Sequence, residues 1–192
     1  MGHDPDAELI GRIARGEPRA AERFVHAHAR RLVRLAQRML NDAAEAEDVA
    51  QEVFVRVWKE APRWTPGGAK FQTWMHRVAL NLCYDRLRRR REQPDAEAGL
   101  TLADPAASPG DVWLAEQRAA RVRAALQQLP ERQRAAIALC HFEELSNIDA
   151  AAALEVSVEA LESLLGRGRR ALKAMLADVA SDMGDLGDVR RE

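Results

Sequence analysis

The side chains best suited to chemistry in this sequence lie near its middle. Residues 86–91 read RLRRRR, which places five arginines in six positions. Together they could neutralise several phosphates, which predicts binding that depends strongly on salt. The alternative interpretation is a solvated helix end, because cations also suit a helix C-terminus. Five arginines exceed what a helix dipole requires.

A second group of residues suits the recognition of a nucleic-acid base. Asn81 is predicted on the same helix as Arg77 and Asp85, and its amide pairs a donor with an acceptor, as a base edge requires. Trp64 belongs to the loop 59–70, whose Pro-Gly-Gly content makes burial difficult, so it could hold an unstacked base. The other aromatic residues around this loop are expected in the core: Trp58, Phe71 and Trp74.

An acidic face is predicted on the helix that reads AAEAEDVAQEVFVRVW, residues 43–58. Its apolar residues recur at the three- and four-residue spacing of one buried face: 46, 49, 50, 53, 54, 57 and 58. The opposite face carries Glu45, Asp48, Glu52 and Lys59, with Gln51 and Val55 beside them. An acidic stripe that also exposes a valine indicates a docking surface for a basic partner.

The C-terminal half contains a predicted helix-turn-helix. Ser146 and Asp149 form a capping box for a short helix, 147–154, and Ser157 can cap a longer helix, 158–177. An ordinary helical hairpin is the alternative, but Arg167, Arg169 and Arg170 on the second helix favour DNA. Glu155 occupies the turn where glycine is usual. We expect strain of about 1 kcal/mol if a left-handed conformation is kept there.

The composition predicts an all-α protein of two small helical domains joined by a flexible linker. The 192 residues are 47% hydrophobic and 5% aromatic, net charge is −1, and no sustained apolar–polar alternation argues for strands. The predicted divisions are residues 1–91, a linker at 92–110, a helix-turn-helix domain at 111–177 and an acidic tail at 178–192. The predicted helices are 6–15, 19–40, 43–61, 71–91, 111–128, 131–143, 147–154 and 158–177.

Several classes of protein are disfavoured by the sequence. We expect no signal peptide and no membrane span, hence a cytoplasmic protein. Cys83 and Cys140 lie in apolar helical patterns and are expected as free thiols, and the histidines are scattered, so neither a metal nor a cofactor is expected. No nucleophile–base pair or phosphate-binding glycine loop is visible, so we do not expect an enzyme.

Residues 8–176 resemble the extracytoplasmic-function sigma factors of bacterial RNA polymerase. The resemblance rests on three segments in the family's order: AEAEDVAQEVFVRVW, FQTWMHRVALNLCYDRLRRR and LPERQRAAIALCHFEELSNIDAAAALEVSVEALESLLGRGRRAL. It implies that the first domain binds the clamp helices of the polymerase beta-prime subunit and melts the −10 element. The second domain would read the −35 element and bind the beta flap. Such proteins are commonly held inactive by an anti-sigma factor.

The resemblance also implies which residues act. The core-polymerase surface would comprise Asp48, Gln51 and Glu52. The −10 surface would comprise Trp64, Arg77, Asn81, Asp85, Arg86, Arg88, Arg89 and Arg90. The −35 surface would comprise Ser157, Glu159, Glu162, Ser163, Arg167, Arg169 and Arg170. The recognition helix departs from the family pattern at Glu159, Glu162 and Leu164, where the family often has a small residue, a lysine and an arginine. The two acids could instead accept hydrogen bonds from cytosine amino groups.

The alternative function is a helix-turn-helix repressor or activator that is not a sigma subunit. It would explain residues 131–176 but would leave the acidic face at 45–59 without a purpose. Such regulators are usually dimers, and no dimerisation helix is apparent in this chain. A monomer is therefore expected.

Overall fold

The computed structural model describes residues 4–65, 70–93 and 109–177, but not the side chains of 109–115. Throughout these ranges the regular structure is helical, as predicted. The helices are α1 (Ala7–Ala14), α2 (Pro18–Leu40), α3 (Ala43–Glu60), α4 (Phe71–Glu92), α5 (Pro109–Gln128), α6 (Glu131–Ile137), α7 (Asn147–Leu154) and α8 (Val158–Met175). None of these helices is long and apolar enough to cross a membrane.

Helix α2 is the centre of the first lobe, which comprises α1 to α4. It begins at Pro18, which suits a first helical position, and ends at Asn41 in the left-handed conformation. Helices α1, α3 and α4 pack against it. Its buried face carries Ala20, Phe24, His28, Leu32, Leu35, Ala36, Met39 and Leu40.

The starts of α3 and α4 are fixed by carboxylates. Oδ1 of Asp42 accepts a hydrogen bond of 2.9 Å from the backbone N–H of Glu45, which satisfies one free donor of α3. Oδ2 of Asp4 accepts one of 2.7 Å from the N–H of Phe71, the first residue of α4. The second contact closes the lobe, because it joins the N-terminal segment to a helix that begins 67 residues later.

The second lobe, α5 to α8, contains the predicted helix-turn-helix. Ser146 and Ser157 accept hydrogen bonds from the N–H groups of Asp149 and Ala160, so both predicted caps are confirmed. Glu155 takes the left-handed conformation at φ 54°, as expected for the turn. The predicted helix 131–143 is divided: α6 ends at Ile137 and a wider π-helical turn follows over residues 138–142.

The two lobes pack against each other, which the sequence did not predict. Helix α7 lies against α4, and α5, α6 and the π turn lie against α2. Buried side chains of both lobes form one contiguous cluster. Most of the predicted linker and the whole of the tail, residues 94–108 and 178–192, lie outside the described residues.

The last carbonyls of α2 lie at this junction, and each accepts a hydrogen bond from a side chain beyond the helix. Arg38 O accepts from Nε2 of Gln127 at 2.8 Å, Met39 O from Nη1 of Arg134, and Leu40 O from Nη1 of Arg90 at 2.9 Å. Helix ends leave such carbonyls without intrahelical donors. Two of the three donors belong to the second lobe, so lobe packing completes the end of α2.

Candidate DNA and protein interfaces

The outer face of α3 presents the acidic surface expected from the sequence. Asp48 and Gln51 are exposed, and Val55 is 48% exposed between them and the end of the helix. Glu52 is half-buried, with Oε1 2.8 Å from Nη2 of Arg56 and Oε2 3.8 Å from Nη2 of Arg86. The inward face is apolar at every predicted position, so the helix separates a core side from an acidic side.

One stripe of α4 gathers the residues expected to contact a base. Arg77, Asn81, Asp85 and Arg88 recur at intervals of four, four and three residues, which places them on the same side of a helix. Asn81 is exposed, and Oδ1 of Asp85 accepts a hydrogen bond of 3.0 Å from Nη2 of Arg88. The stripe offers solvent an amide flanked by a carboxylate and guanidinium groups.

The five arginines of residues 86–91 do not form one continuous surface patch. Arg88 and Arg89 are exposed, as a phosphate contact requires. Arg86 turns toward Glu52 on α3, and Nη2 of Arg91 lies 3.3 Å from Oε1 of Glu131 in the second lobe. Arg90 is half-buried and is bound to the end of α2 and the start of α3. Arg91 nevertheless remains 68% exposed, so the phosphate contacts predicted for the run are most accessible at three positions: Arg88, Arg89 and Arg91.

Trp64 lies in an aromatic cluster rather than in solvent. Its ring meets Phe71 edge to face with centroids 4.9 Å apart, and its indole Nε1 is buried without a hydrogen-bond partner among the residues described. Phe71 is buried as expected, while Trp58 and Trp74 are half-buried and pack against the core. Trp64 is half-buried, so only part of it is accessible for stacking on a base. Residues 66–69 of the same loop lie outside the described residues.

The exposed side of α8 brings together most of the residues expected at the −35 element. A shallow groove is lined by Glu159, Glu162, Ser163, Gly166, Arg167 and Arg170. Arg169 points elsewhere, because its Nε donates to Nε2 of His141 at 3.0 Å. Hydrogen bonds from its own backbone N–H and from the Ser157 hydroxyl lower the pKa of Glu159. A carboxylate stabilises the N-terminus of this helix, so the presence of Glu159 can be explained without a DNA contact.

A buried ion-pair cluster between the lobes was missed by the sequence analysis. Glu143, directly after the π turn, has a side chain only 2% exposed and lies within 3.2 Å of Arg31 and 3.1 Å of Arg38, both on α2. Nε2 of His76 lies 3.9 Å from Oε2 of Glu143. Burial alone would raise the pKa of Glu143, but His76 and Arg31 outweigh it and lower that pKa. The signal in the sequence was an acidic residue, Glu143, on a buried face at the point where an apolar run ends.

The described residues include two cysteines and no cluster of metal-ligating side chains. Cys83 and Cys140 are free thiols, the first buried and the second half-buried. Burial raises the pKa of Cys83 to about 12, which keeps it as an unreactive thiol. Across residues 4–65, 70–93 and 109–177, no group of three potential metal ligands is found.

Comparison with known proteins identifies both lobes. The family described as Sigma-70 region 2 matches residues 24–93, and the family described as Sigma-70, region 4 matches residues 119–172. The chain is 34% identical to the ECF RNA polymerase sigma factor SigE of Mycolicibacterium smegmatis over 84% of its length, and spans 63% of that relative. It is 32% identical to the RNA polymerase sigma-H factor of Pseudomonas aeruginosa, covering 92% of this chain and 96% of that one.

A solved structure agrees with the arrangement of most of the chain. CnrH of Cupriavidus metallidurans, in complex with the cytosolic domain of CnrY, superposes with a TM-score of 0.70 at 29% identity. The match covers 90% of this chain and 97% of CnrH. Since the two region families occur in order and a relative at 32% identity aligns over 92% of this chain, this chain belongs to the extracytoplasmic-function sigma factors of the sigma-70 family.

Proposed function

We propose that this sigma factor binds core RNA polymerase through the outer face of α3 and directs initiation at promoters read by α4 and α8. The observation that carries the proposal is the division of α3 into two faces. Its inner face is buried at Val49, Val53 and Val57, while Asp48 and Gln51 are exposed opposite. Among the described residues no ion pair is found for Asp48, so a basic partner such as the beta-prime clamp helices is the best explanation of its exposed carboxylate.

Promoter contacts are assigned to two further surfaces. The stripe of α4 centred on Asn81 would read a base of the melted −10 strand, because an amide can pair with a base edge. The exposed arginines Arg88 and Arg89 would hold the backbone. The groove of α8 with Arg167 and Arg170 would enter the −35 element, and the same lobe would bind the beta flap.

The remaining assignments follow from family membership. Sigma factors are initiation factors without an enzymatic activity of their own, and we propose the same for this chain, acting in the cytoplasm as a monomer until it binds polymerase. An anti-sigma factor would hold it inactive. Support for such a partner comes from CnrH, which was solved in complex with the cytosolic domain of CnrY.

The test of the proposed function is polymerase binding and transcription with purified bacterial core enzyme. Asp48→Arg with Glu52→Arg should abolish co-purification with core and transcription from genomic promoter fragments, because it reverses the charge of the docking face. Glu8→Arg with Glu22→Arg is the matched control, since both of these glutamates are exposed on the first lobe but lie on α1 and α2 rather than on α3. Both doubles should keep the helical circular dichroism of the parent chain.

One outcome would contradict the assignment of this face. If the Asp48–Glu52 double variant folds and still binds core polymerase like the control, the acidic stripe is not the docking surface. A stable dimer that binds a palindromic operator without polymerase would instead support the helix-turn-helix regulator.

A further inference from the structure

The first turns of α8 are acidic, although this is the helix proposed to enter the −35 element. Glu159 and Glu162 are both exposed and line the shallow groove together with Arg167 and Arg170. In a helix-turn-helix, the N-terminal residues of the second helix contact base edges in the major groove. The two acids therefore lie where sequence is read, while the arginines lie further along the helix.

The two acids differ in their partners. The carboxylate of Glu159 accepts hydrogen bonds from its own backbone N–H and from the hydroxyl of Ser157, which bind it to the start of α8. Glu162 lies about one turn further along the helix, beyond the free N–H groups of the N-terminus. Within the described part of the chain, its carboxylate has one partner, Asn147 on α7. Glu162 is therefore the acid whose carboxylate is open to a base.

The contact with Asn147 prepares Glu162 to bind. Nδ2 of Asn147, the first residue of α7, donates a long hydrogen bond of 3.4 Å to Oε1 of Glu162. The contact joins the two helices of the motif and leaves Oε2 to a ligand. Because a partly held side chain loses less conformational entropy on binding, Asn147 acts as a positioning residue for Glu162.

The major groove offers a carboxylate few donors. The amino groups at N4 of cytosine and N6 of adenine are the base donors there, whereas guanine and thymine present acceptors that repel an anion. The N6 group of adenine lies beside the acceptor N7, so a carboxylate meets less repulsion at cytosine. Cytosine is therefore the base best suited to Glu162.

The arginines of the groove leave the charge of Glu162 in place. No ion pair joins Glu162 to Arg167 or Arg170 in the ranges that the structure describes, and Nε of Arg167 donates to the backbone carbonyl of Ser163 at 3.2 Å. Arg170 follows Glu162 by about 12 Å along the helix axis, a distance similar to the width of the major groove. Arg170 can therefore meet a phosphate at the groove edge while Glu162 faces the bases.

We propose that Glu162 determines specificity in the −35 contact: Oε2 accepts a hydrogen bond from N4 of one cytosine, Asn147 holds Oε1, and Glu159 serves the helix N-terminus. The inference rests on the proposed function, because it requires α8 to enter the −35 element. It assigns this chain a C·G pair at one −35 position. The lysine that is frequent at this position in the family would favour guanine instead.

The first experiment uses the full-length chain assembled on purified core polymerase, and selects promoter fragments randomised at the −35 element. The parent holoenzyme should enrich cytosine at one position about tenfold over guanine and thymine. Glu162→Gln should shift this preference to adenine, because a glutamine amide pairs with both N6 and N7 of adenine. Glu162→Ala should lose the preference at this position. Glu159→Gln is the matched control and should keep cytosine.

Asn147→Ala tests the positioning role in the same selection. It should lower the enrichment of cytosine at that position by about threefold and leave the other −35 positions unchanged. A loss of stability would instead weaken binding to all sequences alike. Unchanged enrichment of cytosine would overturn the role of Asn147.

A modified base tests the hydrogen bond in the parent chain, without any dependence on how a variant folds. N4-methylcytosine still pairs with guanine, but a methyl group replaces the N4 hydrogen that faces the major groove. At the selected position it should lower the affinity of the parent holoenzyme about tenfold and leave that of the Glu162→Ala holoenzyme unchanged. An equal loss in both holoenzymes would overturn the contact.

The selection also separates this inference from the proposed function. A parent holoenzyme that enriches no sequence at the −35 element would count against the proposed function itself, because α8 would not be the −35 reader. A parent holoenzyme that enriches a −35 sequence, with the same base at every position after Glu162→Gln and Glu162→Ala, would overturn only the role of Glu162.

Discussion

Nη2 of Arg90 lies 3.1 Å from Oδ2 of Asp42, the residue that caps α3. The same guanidinium lies 3.0 Å from Oε2 of Glu45 and donates to the carbonyl of Leu40 at the end of α2. One arginine of the basic run thus joins the C-termini of two helices to the N-terminus of a third. A phosphate contact by Arg90 would require it to give up these partners.

Arg90→Ala should therefore destabilise the fold more than it affects DNA. We expect a loss of about 1–2 kcal/mol in the free energy of unfolding, since charge-assisted hydrogen bonds are lost at a partly exposed site. Arg89→Ala is the matched control, because Arg89 is exposed and forms no ion pair among the described residues. It should change stability by less than about 0.5 kcal/mol. Urea denaturation measures both, and equal stability of the two variants would contradict the structural role of Arg90.

Asn81 and the exposed arginines should differ in what they do to promoter preference. Asn81→Ala should lower open-complex formation and relax the preference at one −10 position by about 1–3 kcal/mol, because a base-edge contact specifies sequence. Arg88→Ala with Arg89→Ala should weaken binding to all sequences alike. It should also reduce the slope of log affinity against log salt by about 0.7 for each phosphate lost from a single strand.

Transcription from promoters randomised at the −10 element distinguishes these two effects. Uniform loss from Asn81→Ala, combined with altered base preference in the arginine double variant, would reverse the two roles. If neither variant affects transcription while core binding persists, α4 is not the −10 reader.

The Glu143 cluster predicts a loss of stability in acid. The pKa of Glu143 is lowered in the folded chain: burial opposes this, but His76 and Arg31 outweigh burial. A carboxyl with a lowered folded-state pKa contributes stability above its unfolded-state pKa, about 4.3 for glutamate. That contribution disappears as pH falls through the folded-state value. Arg38, which also faces the carboxylate, stays charged throughout this range.

Glu143→Gln isolates this contribution from those of other carboxyls. Thermal unfolding of the parent and the variant should differ most near neutral pH and converge below about pH 4. A constant difference between the two proteins from neutral pH to about pH 3 would show that Glu143 does not titrate as the cluster predicts.

Two glycines of α8 should respond oppositely to alanine. A Cβ at Gly168 would lie 3.1 Å from Cγ1 of Ile137, which is buried in α6, whereas at Gly166 the nearest contact is 3.9 Å away at Arg170. Gly166→Ala should stabilise the chain by about 0.5–1 kcal/mol through helix propensity. Gly168→Ala should be less stable than Gly166→Ala by about 1 kcal/mol or more, because the packed helices must move apart. Equal stabilisation by both substitutions would show that α6 and α8 can move apart at little cost in free energy.

Much of the fold could be read from the chain, because its helix ends depend on neighbouring residues. Pro18, Asn41, Ser146 and Ser157 each fix a boundary through a proline ring, a left-handed cap or a side-chain hydrogen bond within a few residues. The apolar face of α3 could likewise be predicted from the periodicity of that one helix. The same locality explains why Glu155 could be placed in a strained turn.

Only the tertiary structure decided which of several similar side chains is exposed and which holds the fold together. Arg89 and Arg90 are neighbours in one run, yet one is exposed and the other is bound to α2 and α3, since successive residues of a helix point about 100° apart. The inward position of Trp64 and the burial of Glu143 depend on partners distant in the chain. Periodicity identifies which face of a helix is buried, but the partner of that face is set by the packing of all the helices together. The sequence alone therefore determined the helices and their buried faces, while the closed interface between the two lobes arose from packing.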